Sequence, residues 1–463
     1  MDYKPSWESI RRHYEIFNRE FRPSWFHDVK IGVIIHWGLY SVPGWAPPLG
    51  ELSYIPEVYG WDFWFRYNPY AEWYYNTLRI SGSATAIFHE LVYGRDFRYE
   101  MFAKIFEEES SKWRSSEWVK LFTKSGIGYV VFVTKHHDGY LLWPSSVVNP
   151  RKPNWFSTRD FVGELERDCR SSGIKFATYY SSGIDWTFNT TIIDGHESFK
   201  KAVVFGDDYR DYLRKHWYEL IEKYKPDILW SDIGYPFEED LPELFSYYYN
   251  TVENGLVNDR FTKKYYDFIT PEYRLVTKIS DVKWETVRGL GYSFGYNRAE
   301  GPEHSLSYEK LVHLLIDVIS KNGNLLLGVT PKVDGTIPEH QVETLLRLGQ
   351  WLKIYGEAIY GTRPWLQAEG IAIGSEDAIS LRFVKKEDKL YVFLLGKPKS
   401  RKIIIKPFDG TIRGGSDTHI EMIGEEPISW KQTAYGIEIE IPRYLYPTPA
   451  YVIKIEPIPH IEK

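Results

Sequence analysis

The sequence predicts an α/β protein, with a (β/α)8-like barrel over residues 1–357 and an antiparallel β-sandwich domain over residues 358–463. Between residues 26 and 355, short apolar segments alternate with longer helical ones, which is typical of parallel strands joined by crossover helices. After about Thr362, apolar and polar residues alternate one by one, as in AISLRFV and GIEIEI, and this pattern indicates antiparallel strands. A chain of 463 residues is long enough for both domains.

The predicted elements of the barrel follow one another regularly. Strands are expected at residues 30–36, 129–135, 174–181, 227–232, 256–260, 266–272 and 324–329, and helices at residues 117–125, 161–171, 209–224 and 308–321. These seven segments come close to the eight strand positions of a closed (β/α)8 barrel. An open doubly wound sheet is the main alternative. The segment after the first strand has neither a G-x-G-x-x-G fingerprint nor a Walker-type lysine, so nucleotide binding is not indicated.

Composition excludes several classes of function. The 57 Lys and Arg residues and 63 Asp and Glu residues give a net charge of −6 without long single-sign blocks, so no nucleic-acid or anionic-membrane partner is expected. Cys169 is the only cysteine, which excludes an intrachain disulfide. No apolar run approaches the roughly 20 residues that span a bilayer, and the N-terminus lacks a signal-peptide pattern, so a cytoplasmic location is expected.

The aromatic content is high, at 17% of the chain. Aromatic rings stack on the apolar faces of sugars and bases, although they also fill cores. Because the chain has no basic surplus, a sugar is the better of the two ligands. The single Cys and three Met indicate avoidance of heat-labile residues, which is typical of thermophiles.

Polar residues follow several of the predicted barrel strands, at the end where barrel enzymes have their active sites. These residues are His36, Lys135 to Asp138, Tyr179 to Ser181, Asp232, Arg260 and Glu272. No G-x-S-x-G elbow occurs and Cys169 has no apparent activating base, so nucleophilic serine or cysteine chemistry is not indicated.

Metal catalysis is the first alternative, because His36, His136, His137 and Asp138 are common ligand types. Adjacent residues on a strand point to opposite faces, so His136 and His137 would share one ion only if the strand bends at its end. We therefore expect no metal and no cofactor. The histidines are expected to bind a polyhydroxylated ligand, unless one of the adjacent pair is a core residue.

Glycoside hydrolysis needs two carboxyl groups, and Asp232, Glu272, Glu72 and Asp138 are the candidates. Asp232 ends an apolar strand and can face the barrel mouth, although a strand-end Asp is often only a turn residue. Glu272 follows Pro271, which restricts the backbone and would hold the carboxyl on a defined loop, although it could also be an exposed loop residue.

Eight segments in order resemble the α-L-fucosidases of glycoside hydrolase family 29. They are IIHWGLYSVPGWA at 34–46, AEWY at 71–74, TKHHDGYLLWPS at 134–145, YYSSGIDW at 179–186, LWSDIG at 229–234, NDR at 258–260, SFGYN at 293–297 and NGNLLLGVTP at 322–331. In the last segment, Gly328 and Thr330 depart from the LLNVGP-like sequence that is common in this family, and we assign this strand a structural role only. The resemblance covers most of the barrel.

The resemblance implies a retaining exo-glycosidase that releases terminal α-L-fucose from fucosylated glycans or glycosides, with L-fucose as the product. It places the nucleophile at Asp232 and the acid/base at Glu272. Residues that bind the sugar would be His36, Glu72, Trp73, His136, His137, Tyr179, Trp230, Arg260 and Phe294. Tyr180 could replace Tyr179, because the sequence does not say which of the two faces inward.

Several alternatives stay open at this point. The substrate could be a related sugar such as an α-L-galactoside, or the protein could bind sugar without catalysis. The C-terminal domain could be a structural cap on the barrel or a lectin-like module. We expect a homo-oligomer. The loop between Gly44 and Tyr70 is expected to lie over the barrel mouth, where it could contact either the leaving group or a neighbouring subunit.

Overall fold

The computed structural model describes residues 5–425 and 428–462. The first four residues of the predicted barrel domain, and residues 426, 427 and 463 of the predicted C-terminal domain, lie outside the described residues. The predicted boundary between residues 357 and 358 stays a prediction.

A parallel sheet forms the centre of the first part of the chain. Its strands are β1 (Ile31–Ile35), β2 (Tyr129–Lys135), β3 (Lys175–Ser181), β4 (Ile228–Asp232), β5 (Leu256–Val257), β6 (Trp284–Gly289) and β7 (Gly323–Val329). The strand order is β5-β4-β3-β2-β1-β7-β6, and the strand pairs are parallel. The predicted α/β architecture is therefore confirmed.

The segment predicted as a strand at residues 266–272 connects the two edges of this sheet. It forms isolated parallel bridges, from Phe268 to Asn258 next to β5 and from Ile269 and Glu272 to Trp284 and Val287 on β6. The sheet thus curls into a barrel-like ring, closed by an irregular segment rather than by a regular eighth strand.

Strand β6 is not among the strands that the sequence predicts. Its sequence, WETVRG, carries two charged residues and therefore reads as a loop. The structure shows why a charged residue is tolerated there. The carboxylate of Glu285 is fully buried in the barrel, where it accepts hydrogen bonds from the indole Nε1 of Trp230, at 3.0 Å, and from the hydroxyl of Tyr129.

Helices surround the sheet and cover the barrel mouth. They are α1 (Trp7–Glu20), α2 (Trp25–Val29), α3 (Ile55–Tyr59), α4 (Trp61–Arg66), α5 (Tyr74–Leu78), α6 (Ala84–Tyr93), α7 (Phe102–Ser110), α8 (Ser115–Lys124), α9 (Phe161–Ser171), α10 (His196–Lys201), α11 (Asp207–Tyr224), α12 (Leu241–Thr251), α13 (Tyr308–Ser320) and α14 (Glu339–Tyr355). The four predicted helices correspond to α8, α9, α11 and α13. Local capping explains some of the starts: the Asp160 side chain accepts the Gly163 amide at the beginning of α9, at 2.8 Å.

Side chains alternate between the inside and the outside of the barrel along each strand. Val131 and Val133 of β2 belong to the inner apolar cluster, whereas Val130 and Phe132 belong to the outer one. Gly32 of β1 has no side chain because the ring of Tyr129 occupies that space, 2.4 Å from where a Cβ would lie. The inside of the barrel is therefore a packed core that forms the floor of the site above it.

The second part of the chain forms an antiparallel sheet of order β13-β16-β10-β9-β8-β11-β15-β14, with a separate β12–β17 pair. Its strands are β8 (Arg363–Gly374), β9 (Ala378–Lys386), β10 (Lys389–Leu394), β11 (Lys402–Pro407), β12 (Thr411–Arg413), β13 (His419–Met422), β14 (Trp430–Gln432), β15 (Ile437–Glu440), β16 (Tyr451–Glu456) and β17 (His460–Glu462). The predicted antiparallel β-domain is thus confirmed.

This β-domain packs on helix α13 of the barrel. The guanidinium of Arg382 contacts the carboxylate of Asp317 at 2.7 Å, and the ammonium of Lys321 contacts Glu369 at 2.8 Å. The His313 ring contacts the carbonyl of Pro449 at 2.7 Å. These contacts lie on the helix side of the barrel.

Among the described residues, no helix has the length and apolar character needed to cross a membrane.

A buried ion pair next to the barrel mouth predicts a large loss of stability when one of its two charges is removed by substitution. Lys135 Nζ lies 2.7 Å from Asp185 Oδ2, and both side chains are fully buried. We expect Lys135→Met to lower the free energy of unfolding by about 3–5 kcal/mol, because it leaves a buried carboxylate without its cation. Chemical denaturation monitored by fluorescence measures this. The control is Lys104→Met, whose side chain is 85% exposed. Equal effects of the two substitutions would contradict the prediction.

Candidate active site

A cavity of about 410 Å³ opens at the carboxyl ends of the barrel strands. All eleven residues that the sequence predicts for the site line it. They are His36, Glu72, Trp73, His136, His137, Tyr179, Trp230, Asp232, Arg260, Glu272 and Phe294. Strand ends supply most of them, and residues 71–73 and 294 come from connections that lie over the mouth. The geometry therefore brings together residues that are up to 258 positions apart, from His36 to Phe294.

Asp232 is the last residue of β4 and is buried. Its Oδ1 accepts a hydrogen bond from Arg260 Nη1 at 2.8 Å, and its Oδ2 accepts one from the hydroxyl of Tyr179 at 2.6 Å. Burial by itself would raise the pKa of this carboxyl, but the guanidinium and the hydroxyl outweigh it and hold the pKa below its ordinary value. Asp232 is therefore ionised at neutral pH.

Glu272 is bound to the same guanidinium. Its Oε2 accepts from Arg260 Nη2 at 3.0 Å, and its Oε1 accepts from the hydroxyl of Tyr70 at 2.8 Å. Arg260 thus bridges the two carboxyl groups, one with each terminal nitrogen. Its guanidinium carbon lies 4.6 Å from the ring centroid of Trp230, so the indole face fixes its position from below.

Three histidines form one side of the cavity. Burial lowers the pKa of His36 to about 3 and that of His137 to about 4, and it lowers the pKa of His136 well below the usual value. The rings are therefore neutral at pH 7 and can both donate and accept hydrogen bonds. His136 and His137 both line the cavity, with ring centroids 3.9 Å apart. The alternation of faces along a strand does not apply to this pair, because β2 ends at Lys135 and both histidines lie in the turn region that follows it.

The hydrogen-bond partners of His137 define which of its nitrogens carries the proton. The hydroxyl of Ser181 donates to the carbonyl of Ile184 at 2.7 Å, so its oxygen is left to accept from His137 Nδ1, at 2.6 Å. His137 Nδ1 is therefore the protonated nitrogen. The other nitrogen, Nε2, keeps its lone pair and can accept a hydroxyl proton from a ligand.

Glu72 and the aromatic residues form the remaining walls. Glu72 Oε2 accepts from the Gly295 amide at 2.7 Å and from the Ser293 hydroxyl at 3.2 Å, and burial raises its pKa to about 8. The rings of Tyr179 and Trp230 stack at 5.3 Å. Tyr179, not Tyr180, faces the cavity. Tyr180 points outward to His216 on α11, at 2.8 Å.

Asp138 does not reach the cavity, although the sequence made it a carboxylate candidate. Its carboxylate instead accepts from the Tyr99 hydroxyl at 2.7 Å and from the Tyr140 amide at 3.2 Å. Among the residues that the structure describes, no three His, Cys, Asp or Glu side chains converge in a way that could hold a metal ion.

The sequence prediction missed several lining residues. Tyr70 immediately precedes the AEWY segment, which was a usable signal. Ile34, Ile233 and Val287 lie on or directly after barrel strands, and the rest come from α4, α10 and the chain before them: Leu52, Trp61, Trp64, Phe65, His196 and Phe199. The loop predicted over the barrel mouth at residues 44–70 contains Leu52 and the three residues of α4, whereas nothing in the sequence pointed to the two of α10.

Comparison with known proteins places the chain. A family profile described as "Alpha-L-fucosidase" matches residues 1–357, and one described as "Alpha-L-fucosidase C-terminal domain" matches residues 377–456. The α-L-fucosidase of Dictyostelium discoideum is 31% identical over 393 residues, covering 78% of this chain and 75% of that protein. Tissue α-L-fucosidase of Homo sapiens is 28% identical over 470 residues, covering 95% of this chain and 88% of that protein.

Solved structures agree with these sequence relatives. The Thermotoga maritima α-fucosidase in complex with a mechanism-based inhibitor is 43% identical, with a TM-score of 0.86, and the match covers 98% of this chain and all of that one. The same Thermotoga protein in complex with fucose is 42% identical, with a TM-score of 0.86 and the same coverage. The chain belongs to the α-L-fucosidase family, glycoside hydrolase family 29.

Proposed function

We propose that the chain is a retaining exo-α-L-fucosidase that hydrolyses terminal α-L-fucosyl residues of glycans or glycosides and releases L-fucose. The observation that carries this proposal is the pair of carboxyl groups, Asp232 and Glu272, on one partly buried guanidinium in a single cavity. The Thermotoga relative was solved with fucose in one structure and with a mechanism-based inhibitor in another. The expected homo-oligomer and cytoplasmic location stay predictions.

In the first step, Asp232 attacks the anomeric carbon while Glu272 gives its proton to the departing oxygen. The lowered pKa of Asp232 keeps the nucleophile ionised. The bond from the anomeric carbon to the leaving oxygen breaks as the bond to the Asp232 carboxylate forms, which gives a covalent fucosyl-enzyme. The Arg260 guanidinium then loses part of its attraction to Asp232, because the ester is neutral, and is free to bind Glu272 more strongly.

In the second step, Glu272 takes a proton from water, and the water oxygen attacks the same anomeric carbon from the side that the leaving group has vacated. Asp232 departs as a carboxylate, which Arg260 and the Tyr179 hydroxyl stabilise again. Two inversions at one carbon give net retention of configuration.

The walls of the cavity suit a deoxy sugar. The neutral rings of His36, His136 and His137, with Glu72 and Arg260, supply donors and acceptors for hydroxyl groups. The faces of Trp73, Tyr179, Trp230 and Phe294 supply apolar contact for the ring and its methyl group. A methyl group is worth only about 1–3 kcal/mol of discrimination, so we expect slower turnover of the α-L-galactoside rather than its exclusion.

The roles of the two carboxyl groups can be tested by azide rescue. We expect Asp232→Gly and Glu272→Gly each to lower the release of 4-nitrophenol from its α-L-fucoside, by about 10³-fold or more for the nucleophile. Added azide should restore the activity of both variants. In Asp232→Gly it replaces the nucleophile and gives the β-azide, whereas in Glu272→Gly it attacks the fucosyl-enzyme and gives the α-azide. Nuclear magnetic resonance of the products distinguishes the two anomers. Azide sugars of one configuration from both variants would contradict the assignment.

The influence of Arg260 on Asp232 predicts a pH effect. Asp232 must be ionised to attack, so the acid limb of the kcat/KM profile follows its protonation. Arg260→Gln removes the cation that holds the pKa of Asp232 down, so we expect this limb to move to higher pH by about one unit or more. The matched control is Arg288→Gln, because Arg288 binds Glu51 at 2.7 Å instead. An unmoved acid limb in Arg260→Gln would argue against this role of the guanidinium.

A further inference from the structure

The cavity extends beyond the predicted sugar-binding residues along a row of aromatic rings. The ring centroid of Trp73 lies 6.0 Å from that of Phe65, which lies 6.1 Å from that of Trp61. Phe65 also stacks on Phe199 of α10, at 5.4 Å and an interplanar angle of 27°. Trp73 and Phe65 are buried, whereas Trp61 is 45% exposed, so the row runs from the buried sugar-binding residues to the exposed edge of the cavity.

Helices α4 and α10, which carry the outer part of this row, are held together. The Asp62 carboxylate accepts the backbone amide of His196 at 3.1 Å, at the beginning of α10. Together with the stack of Phe65 on Phe199, this contact fixes the two helices as one rim. The rim is therefore an ordered surface, not a set of loose side chains.

The rim stands beside Glu272. Trp64 of α4 packs edge-on against Tyr70, with ring centroids 4.9 Å apart, and the Tyr70 hydroxyl donates to Glu272. The leaving oxygen must lie against Glu272 to receive its proton. Whatever is attached to that oxygen therefore leaves through the part of the cavity that α4 and α10 line.

A second cavity of about 480 Å³ shares Asp232, Ile233 and Arg260 with the first and would offer another route. Glu272 is not among the described residues that line it. A leaving group there would be separated from the acid. The leaving group thus departs through the first cavity, on the side where Glu272 lies.

We propose that α4 and α10 form a subsite for the leaving group and select leaving groups that have a neutral, flat, apolar face. The residues of this subsite are Leu52, Trp61, Trp64, Phe65, His196 and Phe199. They include no Asp, Glu, Lys or Arg, and His196 is the one titratable side chain among them, so most of the surface that this set offers a leaving group is apolar. The inference rests on the proposed fucosidase function.

Three substrates and two variants test the subsite. The substrates are α-L-fucosyl fluoride, whose leaving group is too small to reach the rim, the 4-nitrophenyl α-L-fucoside, and a disaccharide of fucose linked to galactose. In Trp61→Ala we expect kcat/KM for the nitrophenyl substrate, divided by that for the fluoride, to fall by about 5- to 10-fold, because the exposed ring face is lost. Trp61→Phe should restore most of this ratio.

The matched control is Tyr59→Ala, because Tyr59 is 56% exposed on the neighbouring helix α3 and does not line the cavity. Its ratio should equal that of the wild type. A fall in the disaccharide-to-fluoride ratio as well would identify a sugar face as the natural contact, whereas a fall for the nitrophenyl substrate alone would identify an aryl group.

Equal losses for all three substrates in Trp61→Ala would mean that Trp61 only stabilises the fold, and would overturn the subsite. The same ratio change in Tyr59→Ala would also overturn it, because the effect would then belong to packing of the whole segment. A wild-type protein that cleaves none of the three would instead overturn the proposed function itself.

Discussion

The site depends on one partly buried cation, Arg260, between two carboxyl groups. Asp232 is buried and Glu272 is partly buried, and two carboxylates brought together there would repel each other and lose part of their hydration. Arg260 compensates for both costs, because its two terminal nitrogens each donate to one carboxyl group, at 2.8 and 3.0 Å. A lysine could not do this with the same geometry, since its ammonium lacks the planar fork.

The position of this cation is set by the barrel interior. Its guanidinium lies over the face of Trp230, and its Nε donates to the Thr270 hydroxyl at 3.0 Å. The indole nitrogen of Trp230 in turn donates to the buried carboxylate of Glu285, whose pKa burial raises to about 7. A chain of contacts thus leads from Arg260 through Trp230 to Glu285 in the barrel interior. Through Glu285, strand β6 helps to position the guanidinium, although β6 itself lies beneath the site.

Much of this arrangement could be predicted from the sequence, for a physical reason. Parallel strands of a barrel all end on the same side, so a polar residue just after an apolar run must lie near the others of its kind. That rule places Asp232 and Arg260 without knowledge of the fold in detail. The rule of alternating faces, by contrast, does not reach His136 and His137, because it holds only within a strand and β2 ends at Lys135.

The residues that sequence reasoning missed share a different feature. The apolar pattern of strand β6 is interrupted by charged residues, and α4 and α10 are short helices within long connections. None of the three therefore has a hydrophobic pattern long enough to predict its secondary structure. Their positions follow from tertiary contacts, such as Asp62 with the α10 amide, that join segments more than a hundred residues apart.

The connection before Tyr70 links the acid to the surface that the leaving group would meet. Tyr70 donates to Glu272, and Trp64, six residues earlier on α4, packs on Tyr70 while α4 itself lines the rim. The nucleophile is held from the opposite direction, by Tyr179 on β3 and by Arg260. Substitutions in the rim can therefore alter which leaving groups are accepted without disturbing Asp232. The barrel thus holds the nucleophile, because Tyr179 on β3 donates to Asp232, whereas the connection before the AEWY segment holds the acid, because Tyr70 donates to Glu272.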